Sequence, residues 1–362
     1  MIRSHRIQLK PRPKHVAYFK QACGTARYVW NWGLAKSKEE GFTSGFTLGK
    51  VWTEERPEWT HSVCRDIQNK SLQNLDRAYK SFFKKIMGYP KFKRRGEHDS
   101  FYIINQKLQL AGKLVRVPKL GWVKMTQELR YSGKIMSATV SREADRWFIS
   151  ISVEVPDHYE SGEEIIGVDL GINHAVVLST GEMFDAPRPL LNNLQLLKRR
   201  SKQLSRKVKG SNNREKAKLT LARLHRKIKN QRKDFLHRMT SKLVSRAKTI
   251  VIEDLDVKGM KFQRSILDIG FYEFRRQLEY KCQDLVIADR YFPSSQLCNR
   301  CGARKKMPLS ERVYKCSCGY HNDRDVNAAL NLSTLKTGES NAWGDETLVP
   351  SVNQESTNLL EV

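Results

Sequence analysis

The sequence predicts an α/β plus β protein: a β-barrel interrupted by a helical insertion, then an α/β region with a small cysteine-rich insertion. Three observations predict it. A lone strand-like run at 1–10 precedes two helical stretches. From 100 to 156 apolar residues alternate with period two between Gly and Pro punctuation. Beyond 160, short apolar runs alternate with long helical stretches, and four of the seven cysteines cluster near the end.

Taken in order, Ile2, Ile7 and Leu9 mark the first strand, which Pro11 and Pro13 end. Phe19, Ala22, Ala26, Val29 and Trp30 recur at helical spacing between Lys14 and Glu40. A Gly/Thr-rich break at 41–49 comes before a second helix at about 60–87, with Ile67, Leu72, Leu75 and Tyr79 on its apolar side. Pro90 to Gly96 is a basic loop, and 115–118, 122–125 and 147–153 read as strands. Strands at 163–170 and 174–179 form a hairpin through the turn at 171–173. Residues 193–248 form an antiparallel helical hairpin, with Leu194, Leu197, Leu204, Val208, Leu221, Leu224 and Ile228 among its apolar positions. A helix at 268–282 and a strand at 285–288 follow. The tail after 337 is Ser/Asn/Glu-rich without periodicity and is expected to be disordered.

The chain has 362 residues and carries 66 Lys and Arg against 38 acidic residues, a formal charge of +28. Such a balance selects a polyanionic partner, nucleic acid before an anionic membrane surface. The skew is strongest at 193–249, with 20 Lys/Arg against two acidic residues; the phosphate-tracking reading competes there with a simple solvated charge face. No apolar run is long enough for a membrane span and the basic N-terminus lacks an apolar signal core, so a soluble, intracellular protein is expected.

Cys298-x2-Cys301 and Cys316-x-Cys318, separated by 14 residues, have the spacing of a tetrahedral thiolate cage for one zinc ion. Four thiolates leave no open position, so this zinc is structural. Cys23, Cys64 and Cys282 stand among apolar neighbours as buried thiols. Asp169 ends the apolar run Ile165–Val168, and Glu253 ends the run Thr249–Ile252. A carboxylate at the end of an apolar strand costs free energy unless paired or metal-bound. Downstream, Asp323 and Asp325 follow the cysteines at once, and the pattern alone does not choose between them. Two strand-borne carboxylates and one helix-borne aspartate suit two Mg²⁺ ions acting on a phosphodiester, because hard Mg²⁺ prefers oxygen ligands.

The Gly167-Val168-Asp169-Leu170-Gly171 block, the Ile252-Glu253-Asp254-Leu255 block and the cysteines with Asp325-Val326-Asn327-Ala328-Ala329 resemble the TnpB family. These are transposon-encoded RNA-guided DNA endonucleases ancestral to type V CRISPR effectors. The resemblance runs from residue 1 to about 348. It implies an OB-like wedge barrel (1–10 and 91–160) with an inserted helical recognition lobe (11–90). It also implies an RNase H-like RuvC nuclease domain (161–292 and 320–337) with a zinc-ribbon insertion (293–319), leaving 338–362 as the tail. It assigns catalysis and Mg²⁺ to Asp169, Glu253 and Asp325, makes Asp323 a helix cap or supporting group, and gives Arg312 and Asn327 auxiliary roles. The second cysteine pair departs from the family's common Cys-x-x-Cys by one residue. Implied partners are a guide RNA from the transposon end, one protein per guide, and target double-stranded DNA beside a short motif; the location is a prokaryotic cytoplasm, on the nucleoid when DNA-bound. Gln68, Asn69, Gln73, Asn74 and Lys80 on the 60–87 helix have the length and chemistry to read base edges of that motif, against the alternative of an ordinary polar helix face. The competing functions are a non-cleaving RNA-guided repressor, which the three acidic positions disfavour, and a miniature type V CRISPR effector.

Overall fold

The computed structural model describes residues 1–156, 162–256, 266, 268–308 and 310–337, and its contacts divide the chain into two compact units, 1–157 and 158–362. The tail expected after 337 lies outside the described residues.

In the first unit, β1 (Ile2–Lys10) lies between later strands: Ile2–Gln8 pairs antiparallel with β7 (Arg146–Glu154), and Leu9–Lys10 pairs with β5 (Gly121–Met125). With β2 (Ser100–Ile104), β3 (Gln109–Ala111), β4 (Leu114–Val117) and β6 (Lys134–Glu143) this makes a seven-stranded sheet, order β2-β6-β7-β1-β5-β4-β3. The inward residues of β1 are His5, Ile7 and Leu9, whereas Ile2 is exposed. A buried imidazole needs partners, and His5 has the Gln127 amide at 2.8 Å and the Arg130 N–H at 3.1 Å.

Between β1 and β2 the chain forms α1 (Pro13–Glu39), α2 (Gly45–Glu55) and α3 (Arg65–Phe83). The expected break at 41–49 is corrected: Ser44 caps α2 by accepting from the Thr47 N–H, and buried Leu48 and Trp52 hold this helix despite its glycines. The single helix expected at 60–87 is a 3₁₀ turn at Glu58–Ser62 followed by α3. Gly33 allows α1 to approach α3, since a Cβ there would sit 2.9 Å from Leu72 Cδ2. Phe19 of α1 packs its ring 5.0 Å from Trp147 of β7, joining helices to sheet.

In the second unit, β8 (Glu164–Asp169), β9 (Val176–Leu178), β10 (Met183–Phe184), β11 (Ala247–Glu253) and β12 (Asp284–Ala288) form a sheet of order β10-β9-β8-β11-β12. β8, β11 and β12 run parallel, while β9 and β10 are antiparallel. Parallel strands need helical crossovers. Here α4 (Pro189–Asn192), α5 (Leu194–Ser205) and α6 (Asn212–Arg246) lead into β11, and α7 (Phe271–Lys281) leads into β12. Val208, expected on the apolar face of the hairpin, lies beyond the end of α5 and is 77% exposed. The pleat then sorts the strands. Ile166, Val168, Ile250 and Ile252 point toward Leu236, Leu243, Phe274 and Leu278 of α6 and α7, whereas Val251 packs with Leu332 of the final helix, α8 (Arg324–Thr337). Among the described residues no helix is long and apolar enough to cross a membrane.

Candidate metal and nucleic-acid site

The same alternation decides where the carboxylates go. Gly167 and Asp169 share one face of β8, and Val251 and Glu253 share the corresponding face of β11. The pairing Ile252↔Val168 sets those strand ends side by side. α8 lies on this face, against Gly167 itself: a Cβ there would be 1.9 Å from the Ala329 carbonyl oxygen and 2.6 Å from the Ser333 nitrogen. Glycine in the Gly-Val-Asp block therefore has a steric cause, the close approach of the α8 backbone. That approach brings the start of α8, with Asp325, over the ends of β8 and β11.

The three carboxyls are recessed yet reach solvent. Burial, then the charges of Glu253 and Asp325, push Asp169 well above the usual carboxylate range. Burial also raises Glu253, opposed by the Ser294 hydroxyl that donates to its Oε1. Asp325 is raised by burial and by Asp323, with Arg312, Arg324 and His174 opposing. Three recessed acids, all raised by burial and Asp169 further by the other two, form a donor set whose ionised form a hard divalent cation would stabilise. Asp323 accepts from the backbone N–H groups of Asp325 (2.9 Å) and Val326 (3.2 Å), so its carboxylate caps α8. Arg312 reaches within 4.0 Å of Asp325.

The four cysteines come together as their spacing predicts. The Sγ atoms of Cys298 and Cys318 are 3.7 Å apart, those of Cys301 and Cys316 are 3.6 Å apart, and all four lie within 4.8 Å of one another. Four thiolates around zinc at about 2.3 Å have tetrahedral edges of about 3.8 Å, so the quartet fits that ion. The shortened Cys316-x-Cys318 turn is accommodated by Gly319 at φ 84° and by the Cys316 N–H donating to the Tyr320 carbonyl at 2.9 Å. Burial pushes Cys298 up to about 12, while backbone N–H donation at Cys318 holds Cys316 near 6. Among the described residues no other His, Cys, Asp and Glu group is drawn together so closely; the three carboxylates do not all come within that distance.

A buried polar chain links the two sites. Asn327 accepts from the Asn299 N–H at 3.2 Å, between Cys298 and Cys301, and donates to the Leu297 carbonyl at 2.7 Å. One turn on, Asn331 donates to the carbonyls of Ser294 (2.7 Å) and Leu297 (2.9 Å), and Ser294 donates to Glu253. Asn327, expected as an auxiliary group, thus ties the cysteine turn to α8 and is fully buried with both ends of its amide occupied. Ser294, Asn331 and Arg324 were not singled out from sequence. Arg324 is buried, donates to the Pro308 carbonyl and the Ser295 hydroxyl, and acts on Asp169 by its charge. The available signal was Asn327 and Asn331, polar residues four apart on an otherwise apolar helix face.

Of the residues expected to read DNA, Gln68 is corrected. It is fully buried, its amide oxygen accepts from the Trp52 indole at 2.9 Å, and its amide nitrogen donates to the Thr60 carbonyl at 2.8 Å. Asn69, Gln73, Asn74 and Lys80 are exposed on α3, with Lys80 paired to Asp76 at 3.0 Å. Residues 193–249, the most basic stretch, fold largely as α5 and α6.

Residues 148–264 match a family model described as "Probable transposase", 271–332 one described as "Cas12f1-like, TNB domain", and 1–40 one described as "Helix-turn-helix domain". That last segment is folded here as one strand and one helix, β1 and α1. The chain is 34% identical to the curated "Putative RNA-guided DNA endonuclease InsQ" of Escherichia coli (strain K12), over 91% of each protein. It is 33% identical to a "Putative RNA-guided DNA endonuclease" of Streptomyces pristinaespiralis, over 95% of this chain and 91% of that one. The solved structure of the "mini-RNA-guided endonuclease CRISPR-Cas_phi3" has the same fold at a TM-score of 0.52 and 10% identity, covering 92% of each chain. By its full-length relatives and the family models its segments match, the chain belongs to the TnpB family.

Proposed function

We propose that this protein is an RNA-guided DNA endonuclease that hydrolyses phosphodiester bonds of target double-stranded DNA beside a short motif, at Asp169, Glu253 and Asp325. The observation that carries the reading is the convergence of these carboxyls at the ends of β8, β11 and the start of α8, each held above its ordinary pKa by burial and, for both aspartates, by a neighbouring carboxylate. These residues would hold two Mg²⁺ ions, which when bound supply Lewis acidity to the scissile phosphate and lower the pKa of the attacking water. The chain's own groups do the rest. Ser294 orients Glu253, Asp323 fixes the first turn of α8 and so the direction of Asp325, and Arg312 offers a guanidinium to the phosphate. The cysteine quartet would hold one structural zinc. In this reading the wedge-like sheet and helical lobe of the first unit and the RNase H-like sheet of the second are the family's recognition and RuvC parts. The partners are one guide RNA from the transposon end and the DNA it pairs with, Asn69, Gln73, Asn74 and Lys80 facing the adjacent motif.

The test is to sequence the RNA that copurifies with the protein, programme it against a plasmid carrying a randomised flanking motif, and follow cutting with Mg²⁺. Guide-dependent linearisation is the expected result. Target binding without any cutting would favour the non-cleaving repressor.

A further inference from the structure

We propose that the C-terminal end of α3 and the loop after it form an aromatic platform that stacks unpaired bases of the DNA strand displaced next to the motif. The inference rests on the RNA-guided reading above. The platform is one connected set of rings. Phe42 stacks on Tyr79 with centroids 4.0 Å apart, Tyr79 meets Tyr89 at 5.6 Å, and Phe82 lies 5.5 Å from Phe83 and 5.2 Å from Tyr89. The Lys38 ammonium sits 5.8 Å from the Tyr89 ring centre and 4.9 Å from that of Phe92, so Phe92 joins the edge of the set through this shared cation. Tyr79 is buried and anchors the cluster, while Phe83 is 62% exposed and Phe92 48%. Exposed rings gathered in one place mark an interaction surface.

Two further observations choose the occupant. The stretch 77–96 carries eight Lys or Arg residues and no acid, so a polyanion fits where a protein's apolar patch or a membrane interior does not. The loop is also held in place. Trp30 donates its indole N–H to the Lys91 carbonyl at 3.0 Å, and Asn31 bonds the backbone of Lys93 on both sides, at 2.8 and 3.0 Å. Phe92, between those two fixed residues, still faces solvent. A rigid exposed ring flanked by lysines is how single-stranded nucleic acid is bound without sequence preference. The helix then sets the distance. Phe83 follows Asn74 by nine residues on α3, about 14 Å at 1.5 Å per residue, or about four base steps at 3.4 Å each. A duplex read at Asn74 would present at Phe83 the first bases to open beside the motif.

The experiment uses the full chain with its guide RNA. Target duplexes carry 5-iododeoxyuridine in the strand to be displaced, and in a parallel arm the iodinated base is in the guide RNA. After irradiation the attached residue is mapped by mass spectrometry. Attachment of the displaced DNA strand to Phe83, Tyr89 or Phe92 is expected. In cutting assays Phe83→Ser with Phe92→Ser should slow cleavage of an intact duplex about tenfold, yet by less than twofold on a target pre-opened with mismatches beside the motif. Phe46→Ser, at an exposed ring outside the cluster, should change neither. Attachment only through the guide RNA, attachment of the displaced strand only elsewhere on the protein, or equal loss on both targets would overturn the platform. Because attachment needs binding rather than cutting, a wild type that crosslinks but never cuts would sink the endonuclease reading and leave this one standing.

Discussion

The cysteine quartet and the carboxylate trio solve the same problem, gathering like groups that repel when ionised, by opposite routes. The cysteines come from 21 consecutive residues and close on themselves through two tight turns. The carboxylates are spread over 157 residues, from Asp169 to Asp325, and meet only because three elements pack on one sheet face. The thiols sit at metal-ligand contact, whereas the two aspartates are raised in pKa by burial and a neighbouring carboxylate. A local cage can be assembled by its own turns; a dispersed one has to be held by the fold, and it stores the repulsion. The chain Asn327, Asn331, Ser294 and Glu253 then makes the first a support for the second.

The largest effect should separate chemistry from assembly. Asp169→Ala, Glu253→Ala or Asp325→Ala is expected to lower cutting by about 10³-fold or more while target binding changes less than about threefold, because each removes one metal ligand and leaves the basic surface intact. Asp323→Ala should retain much more activity than Asp325→Ala; the reverse order in a plasmid assay would show that the roles of cap and ligand are exchanged.

Losing the cage should damage both regions. Cys316→Ser is expected to drop zinc content well below one per chain and to lower both the melting temperature and cutting, by about 10–100-fold in activity. Full activity in a zinc-free preparation would cut the proposed connection between the sites. A finer break leaves the cage alone. Asn331→Ala and Ser294→Ala should keep their zinc and lose roughly tenfold in cutting, with a higher Mg²⁺ concentration needed for half-maximal rate. An unchanged Mg²⁺ requirement in both would reduce the polar chain to packing.

The smallest effect tests the stored repulsion. Asp169 holds its proton more tightly in the fold than in the unfolded chain, where the carboxyl titrates near about 3.9. Its contribution to stability is therefore present below about pH 4 and lost as pH rises through the raised folded value. At neutral pH, without divalent metal, Asp169→Asn should melt higher than wild type by a few degrees, roughly 2–4 °C for each kcal/mol relieved. Added Mg²⁺ should raise the wild type and not the variant. A lower melting temperature for Asp169→Asn would mean that the charge is already compensated.

Legibility follows the same division. Cysteine spacing is written in consecutive residues, so the cage was readable before folding. Asp169 and Glu253 were readable as misfits at the ends of apolar strands, but their common face required the register of β8 against β11. Gln68 has the chemistry of a base reader but not the position: Ile67, Gln68, Ser71, Leu72, Leu75 and Tyr79 form the buried stripe of α3, and helical period alone puts residue 68 inside it. α2 was hidden by Gly45 and Gly49, which lower helix propensity but do not outweigh the burial of Trp52. Ser294 and Asn331 carry no local pattern; their role exists only through a partner 41 residues from Ser294 and a loop that α8 happens to cover.

The most direct test of the central claim is to count metal ions of two kinds in one preparation. Zinc-loaded protein is titrated with Mn²⁺ and followed by electron paramagnetic resonance, for wild type and for a variant carrying Asp169→Asn, Glu253→Gln and Asp325→Asn together. Two Mn²⁺ per wild-type chain, none in the variant, and one zinc in both is the predicted result. Equal Mn²⁺ binding by the two proteins would contradict it, because the carboxylates would then not be the site.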